Sequence, residues 1–141
     1  MNLYPPYLGA GVKVTHIGEG YRELHVTMKL SWYNKNIVGT HFGGSLYSMV
    51  DPHFMLMLMQ ILGDHYIVWD QAASIDFIKA SKKPLIAKFV ISDEQLADIL
   101  SNTQNQQKYL PKFLVDITEL DGTLVAQVSK TLYIRQKKSK N

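Results

Sequence analysis

The sequence predicts a single α+β domain: an antiparallel sheet of about five or six strands that buries one face against one long helix. Three observations predict it. Several segments alternate apolar and polar residues with a period of two, the mark of half-buried strands. One stretch, Ser45 to Leu62, is apolar at helical spacing and far longer than any strand. Consecutive strands can pair antiparallel, and a sheet of that size must bury a face. At 141 residues the chain is long enough for one real core.

The elements follow in order. "GVKVTHI" is a candidate strand, and its partner is "YRELHVTMKL", where Leu24, Val26, Met28 and Leu30 face one way and His25, Thr27 and Lys29 the other. Residues 34–44, "NKNIVGTHFGG", read as a loop. Ser45 to Leu62 is the helix, with Met49, Met55, Met57 and Met59 giving it an adaptable surface. "YIVW" and "AASIDFIKA" read as strand, with Ile75 and Phe77 on one face and Ser74 and Asp76 on the other. "PLIAKFVIS" places Ala87, Phe89 and Ile91 together. "SDEQLADIL" is a short helix opened by a capping box, Ser92 with Gln95. Phe113, Val115 and Ile117 alternate up to Asp121-Gly122, a hairpin signal, and the return strand runs from about Leu124 to Arg135. From Arg135 onward the chain is expected to be a flexible basic tail.

Composition excludes several functions. The chain is 46% hydrophobic and 19% charged, as in globular domains. It has no cysteine, which rules out disulfides and thiolate metal sites. The net charge of +3 rests on Arg135, Lys137, Lys138 and Lys140; the rest of the chain carries 11 basic and 12 acidic groups. No basic stripe with interleaved aromatics is present, so nucleic acid is not expected as a partner. "MNLYPPYLGAG" lacks a basic segment followed by an apolar run, and the longest apolar run, Phe54 to Met59, is far below the ~20 residues of a membrane span. A cytoplasmic location is expected. His41, His53 and His65 have no second ligand at metal-binding spacing, and neither a nucleophile elbow nor a dinucleotide fingerprint appears.

The chemistry-bearing stretch is "NKNIVGTHFGGSLYSMVDP". Gly43-Gly44 at a helix start would let a ligand approach backbone N–H groups that lack an intrahelical partner, and such donors stabilise an oxyanion. Asp51, among apolar residues, must be paired, hydrogen-bonded or functional. Two arrangements of Asp51-Pro52 fit the sequence. The helix could begin there, with Asp51 as N-cap and Pro52 in the first turn. Alternatively it begins near Ser45, and Pro52 bends it by removing the bond to the Ser48 carbonyl.

Asn36, Gly43 and Asp51, at spacings of seven and eight, with "SIDF" at 74–77 downstream, resemble the hotdog-fold acyl-CoA thioesterases of the phenylacetate-pathway type. The match is nearest to a poorly characterised branch similar to the YiiD C-terminal domain. The resemblance implies a single hotdog domain over 1–141, its sheet wrapped around the central helix, in a homodimer or a dimer of dimers with the site between subunits. It implies hydrolysis of an acyl thioester, with coenzyme A entering as part of the substrate and with neither cofactor nor metal. Gly43 and Asn36 would hold the thioester carbonyl, Asp51 would act as base or nucleophile, and Ser74 would orient the water or the carboxylate. Gly44, His41 and Phe42 would line the substrate. Lys79, Lys82 and Lys83, in a segment without acids, could grip phosphates. The sequence departs from the family at Phe42, where a His precedes the glycines, and at Pro52. A non-catalytic acyl- or CoA-binding domain is the alternative. A hydroxyacyl-thioester dehydratase, suggested by His41-Phe42, fits less well because Asp51 stands at the wrong offset. Finally, Gly43 and Asp51 on one straight helix would lie ~12 Å apart, so a site using both is expected to combine two chains.

Overall fold

The structure, a computed structural model, describes residues 12–29 and 43–138, without the side chains of residues 43–45. Six strands form one sheet: β1 (Val12–Ile17), β2 (Glu23–Met28), β3 (Tyr66–Phe77), β4 (Leu85–Val90), β5 (Lys112–Glu119) and β6 (Leu124–Gln136). Their order is β1-β2-β4-β5-β6-β3, and every neighbouring pair is antiparallel. Register explains the inner face. Leu24 opposes Phe89, Val26 opposes Ala87 and Met28 opposes Leu85, so directly opposed residues point the same way and their apolar row is continuous. Val115 opposite Val128 and Ile117 opposite Ala126 extend it, and all of these residues are buried.

The central helix fills this face, as its apolar pattern requires, but in two pieces: α1 (Gly43–Ser48) and α2 (His53–Leu62). Phe54 of α2 stacks on Phe113 with centroids 4.8 Å apart and meets Phe89 edge-on at 5.0 Å. The break at 49–52 corrects the expectation of one helix over 45–62. Pro52 has no N–H for the Ser48 carbonyl, and the Val50 and Asp51 N–H groups both donate to the Tyr47 carbonyl at 3.0 Å. The new helix starts on the Pro52 carbonyl, which accepts from Leu56 at 3.0 Å. The Asp51–Pro52 peptide is cis. Neither arrangement open in the sequence is adopted whole: Pro52, not Asp51, stands at the N-cap of α2, and a helical segment also precedes it. Gly63, at φ +77, ends α2 in a conformation that side chains disfavour.

Other expectations are met locally. Ser92 caps α3 (Asp93–Asn102) and shares the reciprocal box with Gln95. Gly122, at φ +96, turns β5 into β6, with the Asp121 carboxylate accepting the Thr123 N–H at 2.9 Å. "YIVW" and "AASIDF" join in one strand, β3, with a bulge between Asp70 and Ala72. The tail begins later than expected: Arg135 pairs with Ile67 inside the sheet, and Lys137 still donates to the His65 carbonyl at 2.8 Å. Interstrand bonding, which a charge count does not see, holds this segment. No helix among the described residues is long and apolar enough to cross a membrane.

Candidate active site

The inner row of β6 runs Ala126, Val128, Lys130, Leu132, Ile134, and a lysine there must find counter-charge. Its side chain is 0% exposed, and its Nζ lies 3.0 Å from Oδ1 of Asp51 and 3.2 Å from Oδ1 of Asp70. Three elements build this cluster. The break after α1 presents Asp51, β6 supplies Lys130, and β3 supplies Asp70, whose inward face follows from its register with Leu132. The Tyr47 ring centroid is 5.4 Å from the ammonium. Asp51 keeps a side-chain exposure of 42%, against 23% for Asp70. The cluster is therefore closed on the lysine side and open on the Asp51 side.

Its electrostatics follow from burial and pairing. Burial pushes the Asp70 carboxyl up; Lys130 opposes this, while the neighbouring Asp51 adds to the rise, and the net direction is upward. Burial pulls the Lys130 ammonium down, but the hydrogen bond to Asp51 and the charges of both carboxylates outweigh it, so Lys130 stays protonated. His53, the first residue of α2, is buried, and burial lowers it to about 4 despite the pull of Asp51. It is neutral at physiological pH. The cluster thus offers a solvent-reachable carboxyl oxygen of Asp51 beside a fixed ammonium, placed to bond water or a ligand.

Beside His53 lies a cavity of about 220 Å³, also lined by Ile17, Tyr21, Leu24, Leu56, Met57 and Gln60. Its mostly apolar wall begins two residues from Asp51. A larger concavity, about 590 Å³, is on the outer face of the sheet among Lys88, Leu114, Asp116 and Gln127, away from Asp51. Among the described residues no group of three His, Asp or Glu side chains could hold a metal ion.

The expected site residues fare differently. Asp51 is central. Gly43 and Gly44 open α1; Asn36, His41 and Phe42 lie outside the described residues. Ser74 does not join Asp51 within the chain. It opposes Ser129, while its neighbour Ala73 opposes Lys130, so Ser74 points to the other face of the sheet. Lys79 and Lys83 do have an acid, supplied from β5: Glu119 lies 3.4 Å from Lys79 Nζ and 3.6 Å from Lys83 Nζ. Burial pushes the Glu119 carboxyl up, but the Ser81 hydroxyl, which donates to it at 3.0 Å, and the two lysines outweigh this and hold it below its usual value. Lys82 is exposed. The break before Asp51 also removes the premise of a straight helix between Gly43 and Asp51, and with it the geometric case for a two-chain site.

Lys130 and Asp70 were not singled out in the sequence. The signal was present for Lys130, a charge in an apolar alternation. For Asp70 the bulge after it masks the period.

A family model described as a domain of unknown function, DUF4442, matches residues 1–134. The chain belongs to that family. No curated protein matches it in sequence. Solved structures resemble this DUF4442 chain over most of its length. HI1161 from Haemophilus influenzae, named a thioesterase, is 13% identical with a TM-score of 0.72, over 96% of this chain and 85% of that one. PA5026 from Pseudomonas aeruginosa, described as a protein of unknown function and a thioesterase candidate, is 15% identical with a TM-score of 0.77, over 91% and 85%. The phenylacetic acid degradation protein PaaI from Thermus thermophilus is 21% identical with a TM-score of 0.65, over 92% and 97%. At such identities the likeness establishes the fold: this DUF4442 chain has the hotdog fold of those proteins, as the sequence resemblance implied.

Proposed function

We propose that this DUF4442 protein hydrolyses an acyl-CoA or related acyl thioester. The observation that carries the reading is Asp51, a solvent-reachable carboxylate at the break of the central helix, held through one oxygen by a buried ammonium. The fold shared with proteins named as thioesterases supports it. In this reading Asp51 takes a proton from water as the water adds to the thioester carbonyl. The Gly43 N–H, with Asn36, holds the developing oxyanion. Collapse of the adduct breaks the carbon–sulfur bond, and the proton passes to the leaving thiolate. Because α1 has six residues, the group on offer is the Gly43 N–H itself and not a long helix dipole. The apolar cavity beside His53 suits an acyl group.

Thiol release from a panel of short, long and aromatic acyl-CoA substrates tests the reading. Turnover of at least one class is expected. Binding without thiol release would favour a second reading, an acyl- or CoA-binding domain, which one observation supports: Lys130 and Asp70 already satisfy the Asp51 charge within the fold. Gly43→Val is expected to abolish turnover while leaving the elution volume of the assembly unchanged, since a branched side chain would block approach to the N–H. Normal hydrolysis by that variant would remove Gly43 from the site.

We further place the site between two copies of the chain. β3 is an edge strand, with Trp69 and Phe77 exposed along it, and such an edge favours pairing with a second copy. Co-refolded Asn36→Ala and Asp51→Asn chains are then expected to regain roughly a quarter of wild-type activity, because random pairing puts both lesions in one site of the mixed dimer. Mixed dimers confirmed by mass spectrometry but inactive would confine the site to one chain.

A further inference from the structure

We propose that Lys130 is a positioning residue for Asp51, fixing that carboxylate in one orientation at the helix break while sharing its ammonium with Asp70. This depends on the thioesterase reading only for what Asp51 then does; the coupling itself stands on geometry.

Stability does not account for a lysine at this position. Lys130 sits in an apolar row, opposite Phe113 on one side and Ala73 on the other. Replacing a whole buried ion cluster by apolar residues of similar volume is often neutral or stabilising, whereas removing one partner is costly. Apolar residues at 51, 70 and 130 together would fill the same space without any desolvation penalty. The charge must therefore serve the groups it touches. It serves them unequally: the ammonium is closed to solvent, and of its two partners Asp51 is the more exposed. A fixed cation behind a reachable carboxylate orients that carboxylate toward the solvent side.

The ionisable groups facing Asp51 among the described residues come from four elements. They are Lys130 on β6, Asp70 on β3, His53 at the start of α2 and Tyr47 on α1, the last stacked toward the Lys130 ammonium. His53 is neutral at physiological pH. Among these groups Lys130 carries the positive charge. Replacing it takes that charge away from two adjacent carboxylates, and carboxylates so placed retain a proton into a higher pH range. A base that holds its proton cannot take one from water.

The test follows the Asp51 carboxyl itself in the full-length protein, by ¹³C NMR of labelled aspartates, with Asp51 identified by the signal lost in Asp51→Asn. In Lys130→Met the Asp51 titration is expected to move up by at least ~1 pH unit, and the acid limb of the kcat/KM profile for thioester hydrolysis to move with it. Lys130→Arg, which keeps the charge, is expected to return the titration toward wild type. Should Lys130→Met fail to fold, Asp70→Asn is compared with Lys130→Met/Asp70→Asn, two proteins that differ only in the ammonium; the double variant is expected to titrate higher at Asp51. A lysine that merely supports the fold would lower activity equally at all pH values and leave the titration in place, and that result overturns the proposal. The two readings part cleanly. A wild-type protein that hydrolyses thioesters, with no movement of Asp51 in Lys130→Met, removes the role of Lys130 and keeps the enzyme. A wild-type protein without hydrolysis, in which the Asp51 titration does move, removes the enzyme and keeps the coupling.

Discussion

Asp51→Asn is expected to reduce thioester hydrolysis at least ~100-fold, the lower range for loss of general acid–base catalysis. Asparagine is nearly isosteric with aspartate but cannot take a proton from water. The fold should tolerate the change. Asp51 is 42% exposed at the surface end of the cluster, and Lys130 keeps its second carboxylate, Asp70, at 3.2 Å. The buried ammonium is therefore not left without a counter-charge, which separates this variant from the usual costly break of a buried pair. The measurement is kcat and kcat/KM on whichever acyl-CoA the wild-type protein turns over, with circular dichroism to show that the variant is folded. A folded Asp51→Asn protein with unchanged kcat would show that the Asp51–Lys130–Asp70 cluster holds the helix break together and does no chemistry.

Phe54→Ala is expected to be the most destabilising single change in the core. Phe54 is 1% exposed and joins the sheet through two rings at once, stacked on Phe113 and edge-on to Phe89. These lie on β5 and β4, so one side chain ties the helix to the middle of the sheet. Deleting it removes apolar area and leaves a cavity that an antiparallel sheet cannot easily close. The expected loss is ~3–5 kcal/mol, which for a domain of this size lowers Tm by roughly 10–17 °C. Phe54 is also the third residue after Asp51, so collapse around the cavity would shift the carboxylate, and activity should fall along with stability. Urea and thermal unfolding measure the first effect. A loss below ~1 kcal/mol would mean that the helix is held elsewhere.

Local pattern made the elements legible. The alternation of Leu24, Val26 and Met28, the capping box of Ser92 and Gln95, and the turn at Asp121-Gly122 depend on residues within a few positions of each other, and all three are found as expected. The candidate site was legible only in part. Asp51 stands out because a carboxylate in an apolar helix violates the local rule. The alternation of 74–77 is found as read, with Ser74 and Asp76 on the face opposite Ile75 and Phe77, but which of the two faces looks toward Asp51 is set by the register with β6, where Lys130 pairs with Ala73 and not Ser74. Lys79 and Lys83 looked unopposed because their segment holds no acid, whereas Glu119 reaches them from a strand about forty residues away.

By itself the sequence determined the α+β class, the apolar helix with its weak point at Pro52, and the presence of a carboxylate there. These follow from side-chain periodicity and from the missing N–H of proline, which are properties of short stretches. Only the tertiary structure decided what that carboxylate meets. Lys130 lies 79 positions from Asp51 in the chain, and Asp70 reaches the same ammonium from a third element. Their meeting depends on β6 pairing with β3 in one register and on the helix breaking where it does. A buried charge must find its partner wherever the fold supplies one, and sequence spacing holds no record of that distance.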